Sequence, residues 1–166
     1  GITNAINWLD GLDALAGGIS TIIILNLCMI FISNQDWIIL FLALALCGSL
    51  IGFLRYNIFP AKILMGDGGS YLLGAGIGIF SILGLSNNSI NYQNFLINTP
   101  ENSIYLFPIN IALIILFIPI ADMAFVILNR IKNNKSPFHP DKSHFHHKLL
   151  KFGLHPRRSV IIMYGI

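Results

Sequence analysis

Long apolar stretches alternate with polar connections along the chain. The apolar runs cover residues 15–32, 37–54, 70–86 and 104–128, and a further run begins at 159. Each complete run is about 17–25 residues long, the length that an α-helix needs to cross about 30 Å of hydrocarbon. The runs are continuous rather than alternating, and within lipid only helices or closed barrels satisfy every backbone group. The pattern predicts an all-α, polytopic membrane bundle with about four complete transmembrane helices and the start of a fifth.

The positive charges lie on one side of this series. All ten Lys and Arg residues fall in the connections 55–69 and 129–158, whereas the connections 33–36 and 87–103 contain none. Cytoplasmic loops carry an excess of Lys and Arg. The connections 55–69 and 129–158, together with the opening segment 1–14, are therefore predicted to face the cytoplasm. Four of the seven carboxylates lie on that same side. We therefore expect the chemistry at the cytoplasmic face of the membrane.

Composition narrows the class of protein. Hydrophobic residues make up 55% of the chain and charged residues 10%, and the mean hydropathy is +0.73, whereas soluble domains carry about 25% charge. The net charge of +3 and a pI near 9.0 do not indicate nucleic acid, since the basic residues flank membrane helices and suit anionic headgroups or an anionic substrate. Cys28 and Cys47 lie in separate apolar runs and are expected to pack rather than to pair. Because the chain opens on Gly1 and its last run is short, we expect 1–166 to be an internal or C-terminal part of one transmembrane domain.

The first polar motif opens the chain. Asn4, Asn7, Asp10 and Asp13 recur every three residues, so neighbours in this series share a face if the segment is helical. Carboxylate and amide oxygens suit a hard cation or a sugar. The alternative is helix capping, for which Asp and Asn are common.

The second motif precedes the third apolar run and reads Lys62-Ile-Leu64-Met-Gly-Asp67-Gly-Gly-Ser70. A glycine-rich turn at a helix start leaves backbone N–H groups free for phosphate. Asp67 would repel a phosphate there unless a divalent cation bridges the two, as Mg²⁺ does with one or two carboxylates. The alternative is a turn in which Asp67 or Ser70 caps the helix.

The third motif lies in the long connection 129–158 and contains His144, His146 and His147. A metal site is one alternative, although His144 and His146 share no helix face and no Cys or Glu lies at the spacing of a zinc finger. Imidazoles among Lys and Arg donate hydrogen bonds to phosphates, and a solvated basic loop is the alternative. Within the fourth run, Asp122 is either functional or part of a structural ion pair with Arg130.

Together the three motifs resemble those of the polyprenyl-phosphate N-acetylhexosamine-1-phosphate transferases. The His144-Phe145-His146-His147 form, after Pro137-Phe138-His139-Pro140-Asp141, is similar to the undecaprenyl-phosphate GlcNAc-1-phosphate transferase branch. Phospho-MurNAc-pentapeptide transferases, which are related, tend to carry three successive histidines there. Two positions depart from the family: Leu64 stands where many members have a Phe that stacks on uracil, and Ala14 replaces a usual Gly.

The resemblance implies transfer of a sugar-1-phosphate, with GlcNAc-1-phosphate as the first candidate, from a UDP-N-acetyl sugar to undecaprenyl phosphate. UMP is released, and the product enters cell-envelope polysaccharide synthesis, such as cell wall or O-antigen. It implies Mg²⁺, or Mn²⁺, held by Asn7 and Asp67, with Asp10, Asp13 and Asp67 catalytic. The implied substrate-binding residues are Asn4, Asn7, Lys62, His144, His146 and His147.

The same resemblance places a paired Asp-Asp motif upstream of Gly1 and allows a homodimer in the lipid membrane. Another donor sugar, or phospho-MurNAc-pentapeptide, is the alternative within this chemistry. A membrane transporter is the alternative from another class. It would place polar groups near the bilayer midplane, whereas here the helix centres are almost free of charge.

Overall fold

The protein is helical over the part of the chain that the computed structural model describes, residues 1–92, 116–136 and 144–165. No β-strand occurs within these ranges. The helices are α1 (Ile2–Leu9), α2 (Leu15–Asn34), α3 (Trp37–Asn57), α4 (Gly66–Tyr92), α5 (Phe117–Lys132), α6 (Phe145–Lys151) and α7 (Pro156–Tyr164). The all-α prediction is confirmed for these residues.

Two of the described helices, α2 and α3, are long and apolar enough to cross a membrane, judged by length and composition alone. They correspond to the runs predicted at 15–32 and 37–54. The run predicted at 70–86 lies inside the longer α4, and the run that begins at 159 falls in α7. Of the run at 104–128, the part before residue 116 lies outside the described residues, and the remainder belongs to α5.

Helix α2 is the centre of the bundle and α3 is its outer wall. In the most apolar 18-residue stretch of each helix, 61% of α2 is buried inside the protein, against 22% of α3. Helix α2 packs against α1, α3, α4 and α7. Helix α3 presents large apolar side chains outward, Ile38 with 79% of its surface exposed and Phe41 with 66%. Such a face suits lipid or a neighbouring helix rather than water.

The short helix α1 is held in the bundle by close packing on α4. Ile6 and Leu9 on α1 and Ile77 on α4 are fully buried. A Cβ added to Gly74 would lie 2.5 Å from Thr3 Cα, so only glycine lets these two backbones approach so closely. This packing fixes the position of α1, which carries the first polar motif.

The polar motifs meet at one end of the bundle. Helix α2 begins and α3 ends beside the two turns 10–14 and 58–65, and α4 begins immediately after the second turn. The C-terminal helix α7 joins both turns: the Tyr164 hydroxyl donates to the Ala14 carbonyl oxygen, and Arg157 donates to the Phe59 carbonyl through Nε (3.0 Å) and Nη2 (2.7 Å). The predicted sidedness of the chemistry therefore has a structural counterpart.

Candidate active site

The turns 10–14 and 58–65 enclose a cavity of about 330 Å³. Its walls are the segment Asp10–Asp13 on one side and Leu64–Asp67 on the other, with Asn57 between them. Three of the carboxylates singled out in the sequence, Asp10, Asp13 and Asp67, line it. The first and second motifs thus form one site.

Hydrogen bonds from Asn57 and Asp13 hold the two turns together. Asn57 is buried; its Oδ1 accepts from the Ala14 N–H at 2.9 Å and its Nδ2 donates to the Ile63 carbonyl at 2.8 Å. Asp13 Oδ2 accepts from the Ala61 N–H at 2.9 Å. One oxygen of Asp13 therefore positions the loop, while the residue still lines the cavity. Ala14 itself has φ 66°, a left-handed conformation that favours the glycine it replaces.

A second set of hydrogen bonds joins α1 to the start of α4. Asn7 Nδ2 donates to Asp67 Oδ1 at 3.0 Å and to Ser70 Oγ at 2.9 Å, and Ser70 Oγ donates to the Asp67 carbonyl at 3.1 Å. Because the amide nitrogen of Asn7 faces Asp67, its amide oxygen is the atom left to accept. The exposed Asp67 carboxylate lies in the first turn of α4, where the helix dipole favours negative charge.

Asp10 is the most perturbed carboxyl group of the site. Its pKa is raised from 3.8 to about 6, chiefly because burial removes water. A hydrogen bond from the Gly66 backbone opposes the rise, whereas the charges of Asp67 and then Asp13 add to it. A cation bound among these carboxylates would offset the repulsion that Asp67 and Asp13 exert on the Asp10 carboxylate.

The donor set fits a hydrated divalent cation better than a closed metal site. Among the described residues, no group of three His, Cys, Asp or Glu side chains is placed to hold a metal ion. Mg²⁺ keeps several waters and uses one or two carboxylates plus substrate phosphates, so the cluster at Asp10 and Asp67 meets its needs.

The histidines of the third motif pack on the other side of the first turn. His146 is 1% exposed, and neither of its ring nitrogens has a hydrogen-bond partner among the described residues. A Cβ on Gly11 would lie 2.4 Å from His146 Nε2. Burial, then the neighbouring His147 and His144, lower the pKa of His146 to about 4, so its ring is neutral at pH 7.

His144 is held by Asp122, whose role the sequence left open between a functional group and a structural ion pair. Its Nδ1 lies 2.7 Å from Asp122 Oδ2, and Asp122 Oδ1 accepts from the Phe145 N–H at 2.7 Å. The His144 ring also meets the edge of Trp8 on α1, and the Arg130 guanidinium lies over Trp8 at 4.8 Å. Asp122 thus pairs with the histidine motif.

Other expectations are only partly met. Asn4, Asn7, Asp10 and Asp13 do not share one helix face, because α1 ends at Leu9 and the two carboxylates lie in the following turn. The side chains of Asn4 and Lys62 are exposed and do not line the cavity. The stretch Pro137–Ser143 lies outside the described residues.

Sequence reasoning missed two parts of the site. The only sequence feature that could have indicated a role for Asn57 is its position, as a polar residue at the end of an apolar run. The role of Gly11 depends on its contact with His146, more than a hundred residues away, and no local pattern indicates that.

The fold and the site define a helical bundle with two helices long and apolar enough to cross a membrane, and with a carboxylate-lined cavity and buried histidines gathered at one end. Comparison with known proteins gives the family. Residues 1–85 match the model of glycosyl transferase family 4. The chain belongs to this family, which confirms the resemblance drawn from the three motifs.

Curated relatives extend the similarity over the whole chain. It is 46% identical over 166 residues to a probable undecaprenyl-phosphate N-acetylglucosaminyl 1-phosphate transferase of Bacillus subtilis, covering 100% of this chain and 42% of that protein. It is 36% identical to a decaprenyl-phosphate N-acetylglucosaminephosphotransferase of Mycobacterium leprae, covering 98% and 42%. A phospho-N-acetylmuramoyl-pentapeptide-transferase of Prochlorococcus marinus is 49% identical over 86 residues, which are 50% of this chain and 24% of that protein. The chain spans about two fifths of the length of the first two relatives.

Proposed function

We propose that the protein containing this chain transfers a sugar-1-phosphate, GlcNAc-1-phosphate in the first instance, from a UDP-sugar to undecaprenyl phosphate and releases UMP. The similarity to the Bacillus subtilis protein over all 166 residues supports this reaction. The longer similarity to the GlcNAc-transferring relatives than to the pentapeptide transferase supports GlcNAc as the sugar.

The observation that carries the proposal is the meeting of three distant motifs at one site. Asn7 contacts Asp67 at 3.0 Å across 60 residues, and Gly11 lies against His146. A scaffold with no chemistry has no need to bring carboxylates, an amide and histidines together at the ends of apolar helices. An enzyme that joins two phosphates needs both oxygen ligands for a cation and groups that contact anionic oxygens.

The reaction joins two anionic substrates. An oxygen of the acceptor phosphate forms a bond to the phosphorus that carries the sugar, and the bond between that phosphorus and the bridging oxygen of UMP breaks. Mg²⁺, for which Mn²⁺ is the substitute, would supply neutralisation of the phosphate charges. Asp67 and the amide oxygen of Asn7 would hold it, and the Asp10 carboxylate would offer a further oxygen ligand in the same cavity.

The remaining residues orient the substrates. Asp13 and Asn57 keep the two turns at a fixed separation, so the cavity is formed before a substrate enters. The Leu64 side chain, 79% exposed beside the cavity, offers an apolar surface to the uracil in place of an aromatic ring. Lys62, exposed on the same loop, would reach the nucleotide phosphates. His144 and His147 would contact the diphosphate, whereas His146, which is 1% exposed and packs on Gly11, would support the turn that carries Asp10.

We place the site at the cytoplasmic face of a bacterial plasma membrane, in a bundle with four spans and the start of a fifth. The one-sided distribution of Lys and Arg supports this orientation. The outward apolar face of α3 suits lipid or the second subunit of a homodimer. Lys62→Cys and Asn87→Cys, each made in a full-length variant whose native cysteines, including Cys28 and Cys47, have been replaced by Ser, would test the topology with a membrane-impermeant maleimide. Labelling of both residues from the same side would refute it.

The reaction is tested with the full-length parent protein, purified in detergent or nanodiscs. It is supplied with undecaprenyl phosphate, Mg²⁺ and a panel of UDP-sugars, and UMP and the lipid product are measured together. We expect UMP and lipid-linked sugar in equal amounts with UDP-GlcNAc, and none from an Asp67→Asn control. Folded protein that releases no UMP with any donor would remove the transferase proposal.

A further inference from the structure

Asp122 is a buried carboxylate whose two oxygens both serve one short segment. It is 1% exposed; Oδ2 lies 2.7 Å from His144 Nδ1, and Oδ1 accepts from the Phe145 N–H at 2.7 Å. A carboxylate buried in an apolar helix is costly unless its oxygens are hydrogen-bonded. Here the bonds run from α5 to the first residues of α6, so Asp122 fixes where the histidine helix begins.

The carboxylate also decides which nitrogen of His144 carries a proton. A carboxylate accepts but does not donate, so the Nδ1 that faces it is the protonated nitrogen and Nε2 is left as the reactive position. An amide in the place of Asp122 would still accept from Phe145. Its NH₂ group would face Nδ1 and select the opposite tautomer.

A chain of ring contacts links this pair to the acidic turn. The His144 and His146 rings lie parallel, 5.5 Å apart between centroids with an interplanar angle of 14°. His146 in turn packs against Gly11, next to Asp10. Trp8 on α1 completes the group through a T-shaped contact with the His144 ring, 5.7 Å between centroids. The start of α6 therefore sets the position of both histidines relative to the cavity.

We propose that Asp122 is a positioning residue of the transferase site: it fixes the orientation and tautomer of His144 and thereby sets the register of the α6 histidines against the acidic turn. The effect of this positioning on catalysis rests on the proposed function. Its effect on geometry, which keeps His146 buried and protected from chemical modification, does not.

The test uses three variants of the full-length parent, Asp122→Asn, Asp122→Ala and His144→Asn. The last keeps a side-chain N–H for Asp122 but lacks Nε2. Asp36→Asn makes the same chemical change at the start of α3, at the opposite end of that helix from the site, and is the control. Two quantities are measured: steady-state UMP release, and modification of His144 and His146 by diethyl pyrocarbonate, located by mass spectrometry.

We expect Asp122→Asn to lower kcat by about 10–100-fold, with KM within about twofold, because the amide leaves α6 in place and reverses the tautomer. His146 should stay as protected from diethyl pyrocarbonate as in the parent. His144→Asn should behave in the same way. The double variant Asp122→Asn/His144→Asn should have a kcat no lower than that of the less active single variant. A kcat of Asp122→Asn within about threefold of the Asp36→Asn control, or losses that multiply in the double variant, would overturn the proposal.

Asp122→Ala removes both hydrogen bonds, so His146 should become reactive towards diethyl pyrocarbonate. This readout needs no turnover, and it separates the present inference from the proposed reaction. A parent that releases no UMP but shows this pattern of protection refutes the reaction and supports the geometry. Equal protection of His146 in Asp122→Ala and in the parent overturns the geometry, whatever the activity. If Asp122→Asn does not accumulate as folded protein, the pair Asp122→Ala and His144→Asn provides the same comparison.

Discussion

Replacing Gly11 by Ala tests whether the histidine helix and the acidic turn are in contact in the working protein. The added Cβ would lie 2.4 Å from His146 Nε2 and 2.9 Å from its Cε1, in a place where ordinary contact begins near 3.4 Å. Gly11 does not have a positive φ, so the change adds no backbone strain. Either the imidazole or the turn that carries Asp10 must move by about 1 Å, and a displacement of that size at a catalytic group costs about 10²-fold in rate.

The ring cannot simply swing away, because His146 is 1% exposed, is stacked on His144 and is in tilted contact with His147. We therefore expect UMP release to fall about 10²-fold. The free energy of unfolding should fall by about 1–3 kcal/mol, as for other overpacked sites. Gly48→Ala is the matched control, since a Cβ there meets no atom within 4 Å. Adding His146→Ala to Gly11→Ala should restore the Tm towards that of His146→Ala alone without restoring turnover.

Normal turnover and an unchanged Tm for Gly11→Ala would refute the reasoning. Such a result would mean that the α6 histidines do not lie against the Asp10–Asp13 turn in the active protein. The third motif would then have no part in the site as described.

Three further predictions concern single residues. Asp67→Asn should abolish UMP release at every Mg²⁺ concentration of a titration, and normal activity throughout would exclude Asp67 as a metal ligand. Because the pKa of Asp10 is about 6 in the folded protein against 3.8 for a free group, its stabilising contribution is complete below about pH 4 and is lost as pH rises through 6. Asp10→Asn should therefore raise the Tm at pH 7.5 in chelator and leave it unchanged near pH 4. Gly74→Ala should lower the Tm strongly, because its Cβ would meet the Thr3 backbone at 2.5 Å, whereas Gly48→Ala should not.

The sequence was sufficient to predict α2 and α3, because the features that indicate a membrane-spanning helix are local to one segment. Apolar length and Lys/Arg bias are properties of single segments, and they predicted α2 and α3 to within a few residues. Helix α4 begins at Gly66 rather than at residue 70, because the first turn of a helix tolerates glycines and favours a carboxylate such as Asp67. Hydropathy alone excludes those polar positions from the apolar run.

The interior of the site was less predictable because its contacts join distant segments. A spacing of three residues indicated one helix face for the Asn and Asp series, yet α1 ends at Leu9 and the carboxylates project from a turn. The bridge through Asn57 and the pairing of Asp122 with His144 depend on which helix ends become neighbours. The three motifs are shared with a family, and this shared pattern, rather than periodicity, indicated that they would meet.

The two C-terminal helices have a consequence for biogenesis. Tyr164 and Arg157 bind the backbone of the first and second turns, and α6 supplies the imidazole that rests on Gly11. During synthesis, every acidic residue of the cavity would emerge from the ribosome before the segment that locks it into shape. A nascent chain would therefore not have the complete site until α6 and α7 had docked on the two turns.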